Sequence, residues 1–348
     1  MFRETTIYDI AEALGLSAAT VSRALKDHPA IHENTKKLVG KKAEEMGYRF
    51  NSFASNLRRK KTNTLGVIVP RLNSNFMSGV LSGMERVANE AGYNLLITQS
   101  LESMQKEVAN ALTMFNSRVD GLLISLAYDT TDYSHFKRFI ERKIPVLFFD
   151  RVPDDAFGVD SVVIDNFEAG REATRHLIEN GCRRIMHVTG DLKRNVYADR
   201  YQGYLCALNE GGVAFSDSLL QVKDLSEAAG TELASFLHKE KKRPDGIFIA
   251  NDLCAVSFIK AFKERGYKVP GDIAVVGFND DPVSQFIDPQ LTTVRYSGVL
   301  VGETALNALI KRLAQVSPSN GPEKIVLPHW LVVRGSTVAA SGVPATGN

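Results

Sequence analysis

Two groups of residues in this 348-residue chain have types and spacing suited to recognition chemistry. The first is compact: Ser17-Ala18-Ala19-Thr20-Val21-Ser22-Arg23 brings three hydroxyls, two short methyl side chains and a guanidinium together. Arg23 can reach guanine O6 and N7 or a phosphate, Ala18 and Ala19 can approach a thymine methyl, and Ser17, Thr20 and Ser22 suit phosphate oxygens. The second group is dispersed, each member close to the end of an apolar run: Asn75, Phe76, Asp150, Arg194, Arg200, Asn251, Asp252 and Asn279. Asp and Asn pair with adjacent hydroxyls, Arg presents a planar fork, and Phe76 offers a ring face to a sugar or a base. Asp252 and Asn75 could equally cap helices. Motifs for catalysis are lacking, with no Gly-x-Gly-x-x-Gly after a strand, Gly-x-x-x-x-Gly-Lys, His-Glu-x-x-His or Gly-x-Ser-x-Gly. The seven histidines are scattered without metal-ligand spacing, so neither a metal nor a cofactor is expected.

The compact group needs a scaffold, and its flanks supply one. Ile7, Ile10, Ala11 and Leu14 form one apolar stripe, with Thr6 placed to cap and Asp9 to answer it. Gly15 ends that helix, and Ser17 caps a second from Ala18 to about Leu25. A three-residue connection containing glycine is the spacing of a helix-turn-helix, whose second helix enters the major groove. A third helix, about Glu33 to Met46, turns Leu38, Val39, Ala43 and Met46 inward and Lys36, Lys37, Lys41 and Lys42 outward.

Charge agrees with that reading. Residues 1–61 hold 12 basic against 7 acidic side chains, a net +5, so a total of +2 leaves −3 on the other 287 residues. A polyanion-binding module joined to an ordinary body divides charge in this way, although a solvated basic face would too.

The run Thr6-Ile7-Tyr8 through Leu25 resembles the DNA-binding headpiece of the LacI/GalR family of bacterial repressors, and the resemblance continues through Gly47-Tyr48 and Asn51. It implies double-stranded operator DNA as a partner, with Thr6 and Tyr8 joining the compact group at the DNA. Phe50 departs from the family's usual proline. Asn51 to Leu57 reads as a two-turn helix, marginal alone, leading into Arg58-Arg59-Lys60-Lys61. The resemblance implies a hinge helix that pairs with its dimer mate on the operator; Leu57 matches the minor-groove wedge, with Asn51, Ala54 and Arg58 also at the DNA.

From Thr64 onward short apolar runs alternate with amphipathic stretches, the pattern of parallel strands with helical crossovers. Two doubly wound sheets in tandem make two lobes, with a ligand beyond the carboxyl ends of the strands. This part resembles the periplasmic sugar-binding-protein fold of LacI/GalR effector domains, on Val119-Asp120-Gly121, Phe149-Asp150-Arg151, Arg200-Tyr201-Gln202-Gly203, Ala250-Asn251-Asp252 and Val276-Gly277-Phe278 among other runs. The resemblance assigns effector contact to most of the dispersed group, above all Asp150 and Arg200; Asn279 stands where aspartate is common. It also implies three chain crossings between lobes, near 158–161, 288–293 and 320–326.

The expected organisation is therefore an all-α helix-turn-helix domain over 1–50 and a hinge and linker over 51–62. An effector-binding and dimerisation domain spans 63–340, one lobe about 63–160 plus 294–320, the other about 161–290 plus 324–338, before a flexible tail over 341–348. The implied function is operator binding by a homodimer under allosteric control of a small, sugar-like molecule. An α/β enzyme or a solute-binding protein with an appended DNA-binding domain is the alternative.

Size and composition fit. The length exceeds one ordinary core, the 44% hydrophobic and 24% charged content is that of globular protein, and no apolar run suffices for a membrane span. Cys182, Cys206 and Cys254 suit buried thiols in a reducing compartment, and Met1 to Thr6 lacks the apolar core of a secretory signal, so a cytoplasmic protein is expected. The tail from Ala339 has no leucine heptads for tetramerisation.

Overall fold

A computed structural model describes residues 5–48, 61–154, 157–314 and 321–337. The chain divides into two compact units, Met1–Thr62 and Asn63–Asn348. The proposed hinge contacts Asn51, Ala54, Leu57 and Arg58 lie outside the described residues.

The first unit holds α1 (Ile7–Leu14), α2 (Ala18–Leu25) and α3 (Glu33–Glu45). Thr6 and Asp9 form a reciprocal capping box, Gly15 closes α1 in the left-handed region at φ 64°, and the Ser17 hydroxyl accepts from the Thr20 amide at 3.1 Å. Each element thus begins and ends on local chemistry legible in the chain. Ile10, Ala11, Val21, Ala24, Val39 and Ala43 form the small core. Two side chains of α3 depart from expectation. Leu38 is exposed, because the inward stripe runs through Val39, Ala43 and Met46 and leaves Leu38 about 100° to one side. Lys36, expected to point outward, is largely covered and paired with Asp27 at 2.6 Å.

The second unit contains two six-stranded sheets. The first has the order β11-β5-β4-β3-β1-β2 and the second β12-β10-β9-β8-β6-β7. Their strands are β1 (Thr64–Val69), β2 (Asn94–Gln99), β3 (Gly121–Ile124), β4 (Val146–Phe149), β5 (Asp160–Ile164), β6 (Ile185–Thr189), β7 (Leu220–Val222), β8 (Gly246–Ile249), β9 (Ala274–Asn279), β10 (Thr292–Arg295), β11 (Lys324–Leu327) and β12 (Trp330–Val332). All pairings are parallel except β10 with β12. Helices α4 (Asn75–Glu90), α5 (Met104–Asn116) and α6 (Ser134–Glu141) connect strands of the first sheet. Helix α7 (Asn166–Glu179) leads from the first sheet to the second, whose strands α8 (Asn195–Glu210), α9 (Glu227–Lys239), α10 (Asp252–Glu264) and α11 (Val283–Phe286) connect, and α12 (Gly298–Ala314) returns to the first.

Period-two alternation decides the packing of the first sheet. Val67, Leu123 and Leu147 join the cluster that includes Val80 and Met84 of α4 and Leu309 of α12. Their neighbours Ile68, Leu122 and Phe148 join Met114 of α5 and Phe136 and Phe139 of α6. Both faces are buried, which accounts for the nearly unbroken apolar strands.

The lobe boundaries need correction. Val162 pairs with Phe149 and Ile164 with Leu327, so 160–164 belongs wholly to the first sheet. Thr292–Arg295 pairs with β9 and belongs to the second, whereas Lys324–Leu327 belongs to the first. The chain therefore crosses after Ile164, after Arg295 and after Leu327, each later than the resemblance implied. Ladder hydrogen bonds, not chain position, determine lobe membership. No helix among the described residues is long and apolar enough to cross a membrane. The three thiols are free; Cys182 and Cys254 are buried, but Cys206 is half-exposed on α8, where it meets Glu210.

Candidate functional site

In the first unit the Ser17 cap starts α2 and thereby determines which side chains its first turn presents. Thr6, Tyr8, Ser17, Ala19 and Arg23 are exposed, while Ala18, Thr20 and Ser22 are half-buried. Thr20 shares a hydrogen bond with Ser17 at 2.9 Å between hydroxyl oxygens. Tyr8, 71% exposed, is a large ring without packing partners in the headpiece core. This surface combines one guanidinium, hydroxyls and small apolar groups, the mixture that reads base edges and phosphates.

In the second unit a cleft of about 550 Å³ opens among the carboxyl ends of strands from both sheets. The strand-to-helix turns bring the groups there. Ser74 caps α4 and leaves Asn75 and Phe76 on the cleft wall. Asp150 follows β4 with φ 58°, and Asn279 ends β9 with φ 114°. Both lie in the left-handed region that Asp and Asn tolerate better than most side chains. Asn251 caps α10 through Cys254, and Arg200 reaches in from α8.

Six of the eight dispersed residues thus line the cleft: Asn75, Phe76, Asp150, Arg200, Asn251 and Asn279. Arg200 is 3% exposed; its Nε donates to Asn166 Oδ1 at 2.9 Å and its Nη1 to the Ala250 carbonyl at 3.3 Å. Asp150 accepts a long hydrogen bond from the Ser125 hydroxyl, 3.4 Å. Burial pushes its carboxyl up from the usual carboxylate range, and the Arg151 and Arg200 charges oppose that shift.

Arg194 and Asp252 do not line the cleft. Because α8 begins at Asn195, a turn and a half before Arg200, Arg194 precedes the helix and turns away to donate to the Thr130 carbonyl. Asp252, in the first turn of α10, folds beneath β9 and accepts from the Thr293 hydroxyl at 2.7 Å and the Asp281 amide at 2.8 Å. Burial raises the carboxyl of Asp252 to about 7 and that of Asp281 to about 6.

Further residues line the site without having been singled out, among them Arg151, Tyr197, Asp281 and Tyr296. The Tyr296 ring lies 4.7 Å from that of Phe76, making a two-ring wall, and its hydroxyl donates to Asn279 Oδ1 at 3.4 Å. Arg151 adjoined the Phe149-Asp150 run and could have been found there; nothing near Tyr296 in the chain marks it.

Comparison with known proteins is consistent with both units. Residues 6–51 match the family described as bacterial regulatory proteins, lacI family, and residues 174–337 match the periplasmic binding protein-like domain. Catabolite control protein A of Priestia megaterium is 31% identical over 333 residues, 95% of this chain and 99% of that protein. Among solved structures, the lac repressor dimer bound to operator and the anti-inducer ONPF superimposes with a TM-score of 0.84 at 24% identity, covering 97% of this chain and 100% of that one. The complex of the transcriptional regulator CelR with cellobiose gives 0.71 at 27%, covering 96% and 100%.

Proposed function

This chain belongs to the lacI family of bacterial regulatory proteins, and we propose that it works as a homodimer on a pseudo-palindromic operator, with a sugar or sugar derivative in its interlobe cleft as the allosteric effector. It is a DNA-binding transcriptional regulator and not an enzyme. Its place of action is the cytoplasm, where that DNA lies.

One observation carries the effector reading. A carboxylate (Asp150), a guanidinium (Arg200) and two amides (Asn251, Asn279) converge on one cleft, beside the paired rings of Phe76 and Tyr296. Convergent polar groups suit a ring of hydroxyls, and an apolar wall suits the C–H face of a pyranose. The cellobiose in the CelR complex supports the same chemical class. For the dimer, support comes from exposed apolar side chains along one edge: Ile97 on β2, Leu101, and Val108 and Leu112 on α5. Thr6, Tyr8, Ser17, Ala18, Ala19, Thr20, Ser22 and Arg23 are the headpiece contacts in this reading, with Asn51, Ala54, Leu57 and Arg58 in the hinge.

A thermal-shift screen of sugars, sugar phosphates and nucleobases tests it. A true effector at about 100 times its Kd adds about 2.7 kcal/mol to the folded state and raises Tm. The same compound must change operator affinity, and operator DNA must change its affinity reciprocally. A nucleobase hit with no sugar hit would reassign the ligand class.

A further inference from the structure

The first turn of α8 crosses from the second lobe to the first. Asn195 Nδ2 donates to the Asp150 carbonyl at 3.1 Å, while the Val152 amide donates to Asn195 Oδ1 at 3.0 Å. One side-chain amide therefore pairs with peptide groups on both sides of Arg151, as an adjacent strand would. The residue before it, Arg194, donates to the Thr130 carbonyl of the first lobe. Two residues after it, the Tyr197 hydroxyl accepts from Arg151 Nη2 at 3.3 Å.

Arg151 is itself held from three directions. Glu102 accepts from its Nη1 at 2.7 Å, and the rings of Tyr128 and Tyr197 each lie 5.7 Å from its guanidinium carbon. Tyr128 belongs to the first lobe and Tyr197 to the second, so the cation joins the lobes through two rings. The Tyr128 hydroxyl also receives the Asp191 amide of the second lobe.

We propose that Asn195 is the positioning residue of the cleft: its paired hydrogen bonds hold the left-handed turn at Asp150, aim that carboxyl at the ligand space and latch the two lobes together before any effector arrives. The proposal rests on reading the cleft as the effector site. Three facts carry it. A non-glycine residue at φ 58° is uncommon even for aspartate, and Asn195 supplies hydrogen bonds on either side of the turn. Asn195 does not line the cleft, so it acts through Asp150. Arg200 lies on the same helix as Asn195, and a ligand gripping Arg200 and Asp150 draws together the two elements the latch already joins. Closure made in advance lowers the ordering cost that ligand binding would otherwise bear.

Hydrogen exchange on the ligand-free, full-length protein tests this without any effector. The Val152 amide is bonded directly to Asn195, whereas the Asp191 amide is bonded to Tyr128 across the cleft and does not touch Asn195. In the wild type both are expected to exchange slowly. Asn195→Ala is expected to speed both by about tenfold or more, because the cross-lobe bonds open as one unit. Asn195→Asp, which accepts from Val152 but cannot donate to the Asp150 carbonyl, should fall between. Acceleration at Val152 alone would make Asn195 a local bond and overturn the latch, as would no change at either amide. Should Asn195→Ala not fold by circular dichroism, Asn195→Asp, which loses only the bond to the Asp150 carbonyl, must still speed both amides; unchanged exchange there overturns the proposal. Because no ligand enters the measurement, a failed sugar screen and a failed latch are separate results.

Discussion

The guanidinium carbon of Arg200 lies 3.4 Å from the centroid of the Phe278 ring. The cation is held by that ring, by Asn166 and by the Ala250 carbonyl, so its free edge faces the cleft. Under the proposed effector reading one side chain provides both position and ligand contact, and its loss removes both.

Arg200→Ala should abolish the effector response while sparing operator binding, and should cost about 2–3 kcal/mol because Asn166 and Ala250 lose a buried partner. Arg200→Lys should recover part of the stability and little of the response, since an ammonium cannot reproduce the planar fork. Urea unfolding and operator anisotropy with and without effector separate the two effects. A normal response in Arg200→Ala would place the ligand elsewhere.

Arg23 stands exposed in the last turn of α2. Arg23→Ala should weaken operator binding by about 1–3 kcal/mol and relax one base preference. Binding to a panel of operator variants reads both. Unchanged affinity would remove Arg23 from base readout.

Helices α7 and α8 meet backbone to backbone. A Cβ on Gly203 would stand 2.0 Å from the Phe167 carbonyl oxygen and 2.7 Å from the Arg171 nitrogen, and one on Gly170 would stand 2.3 Å from the Arg200 carbonyl. Neither neighbour is a flexible side chain that could yield. Gly203→Ala is expected to lose about 1–3 kcal/mol, and to shift the helix that carries both Arg200 and Asn195. Melting of the variant alongside Gly40→Ala, an exposed glycine within α3 that has open space around it and no positive φ, distinguishes crowding from a general glycine effect.

His187 sits in the middle of β6 with Nδ1 3.0 Å from the Phe248 carbonyl. Burial, with the Arg200 charge adding, pushes its imidazole from the ordinary 6.5 down to about 3. Above the ordinary value both folded and unfolded chains are neutral there. As pH falls below it the unfolded chain takes a proton that the folded chain refuses, so stability drops by about 1.4 kcal/mol per pH unit until about pH 3. Asp252 and Asp281, whose carboxyls are raised, act in the opposite sense: their folded forms gain stability as pH falls. The difference between wild type and His187→Phe isolates the imidazole. Wild-type stability minus that of the variant should fall between about pH 7 and about pH 5; a constant difference would mean that His187 titrates in the fold as it does in the unfolded chain.

Much of this was legible because its causes are local. Caps at Thr6 and Ser17, the glycine at 15 and the alternation of apolar strands are each written within a few residues. Asp150, at a strand end, and Arg200, on the helix that follows one, both line the cleft, where α/β sheets present ligand groups. Arg194 and Asp252 stood at similar strand ends, yet one turned toward the lobe interface and the other beneath β9. Which way such a side chain points depends on where the next helix starts, and α8 starts five residues before Arg200. Tyr296 was missed because it reaches Phe76 through a fold that joins positions 220 residues apart. The lobe of Asp160–Ile164 was likewise hidden, since pairing with β11 is decided by a segment 163 residues downstream.

The three late crossings have a mechanical consequence. Each lobe is built from two stretches of chain, interleaved with the other's, so three covalent spans join them after Ile164, Arg295 and Leu327. A protease that nicks one span leaves two intact. Such a nicked protein should run as two fragments on a denaturing gel while eluting at full size from a sizing column. Tethered three times over, the lobes can swing but not drift apart, and the cleft between them reassembles from the same pair of walls at every cycle.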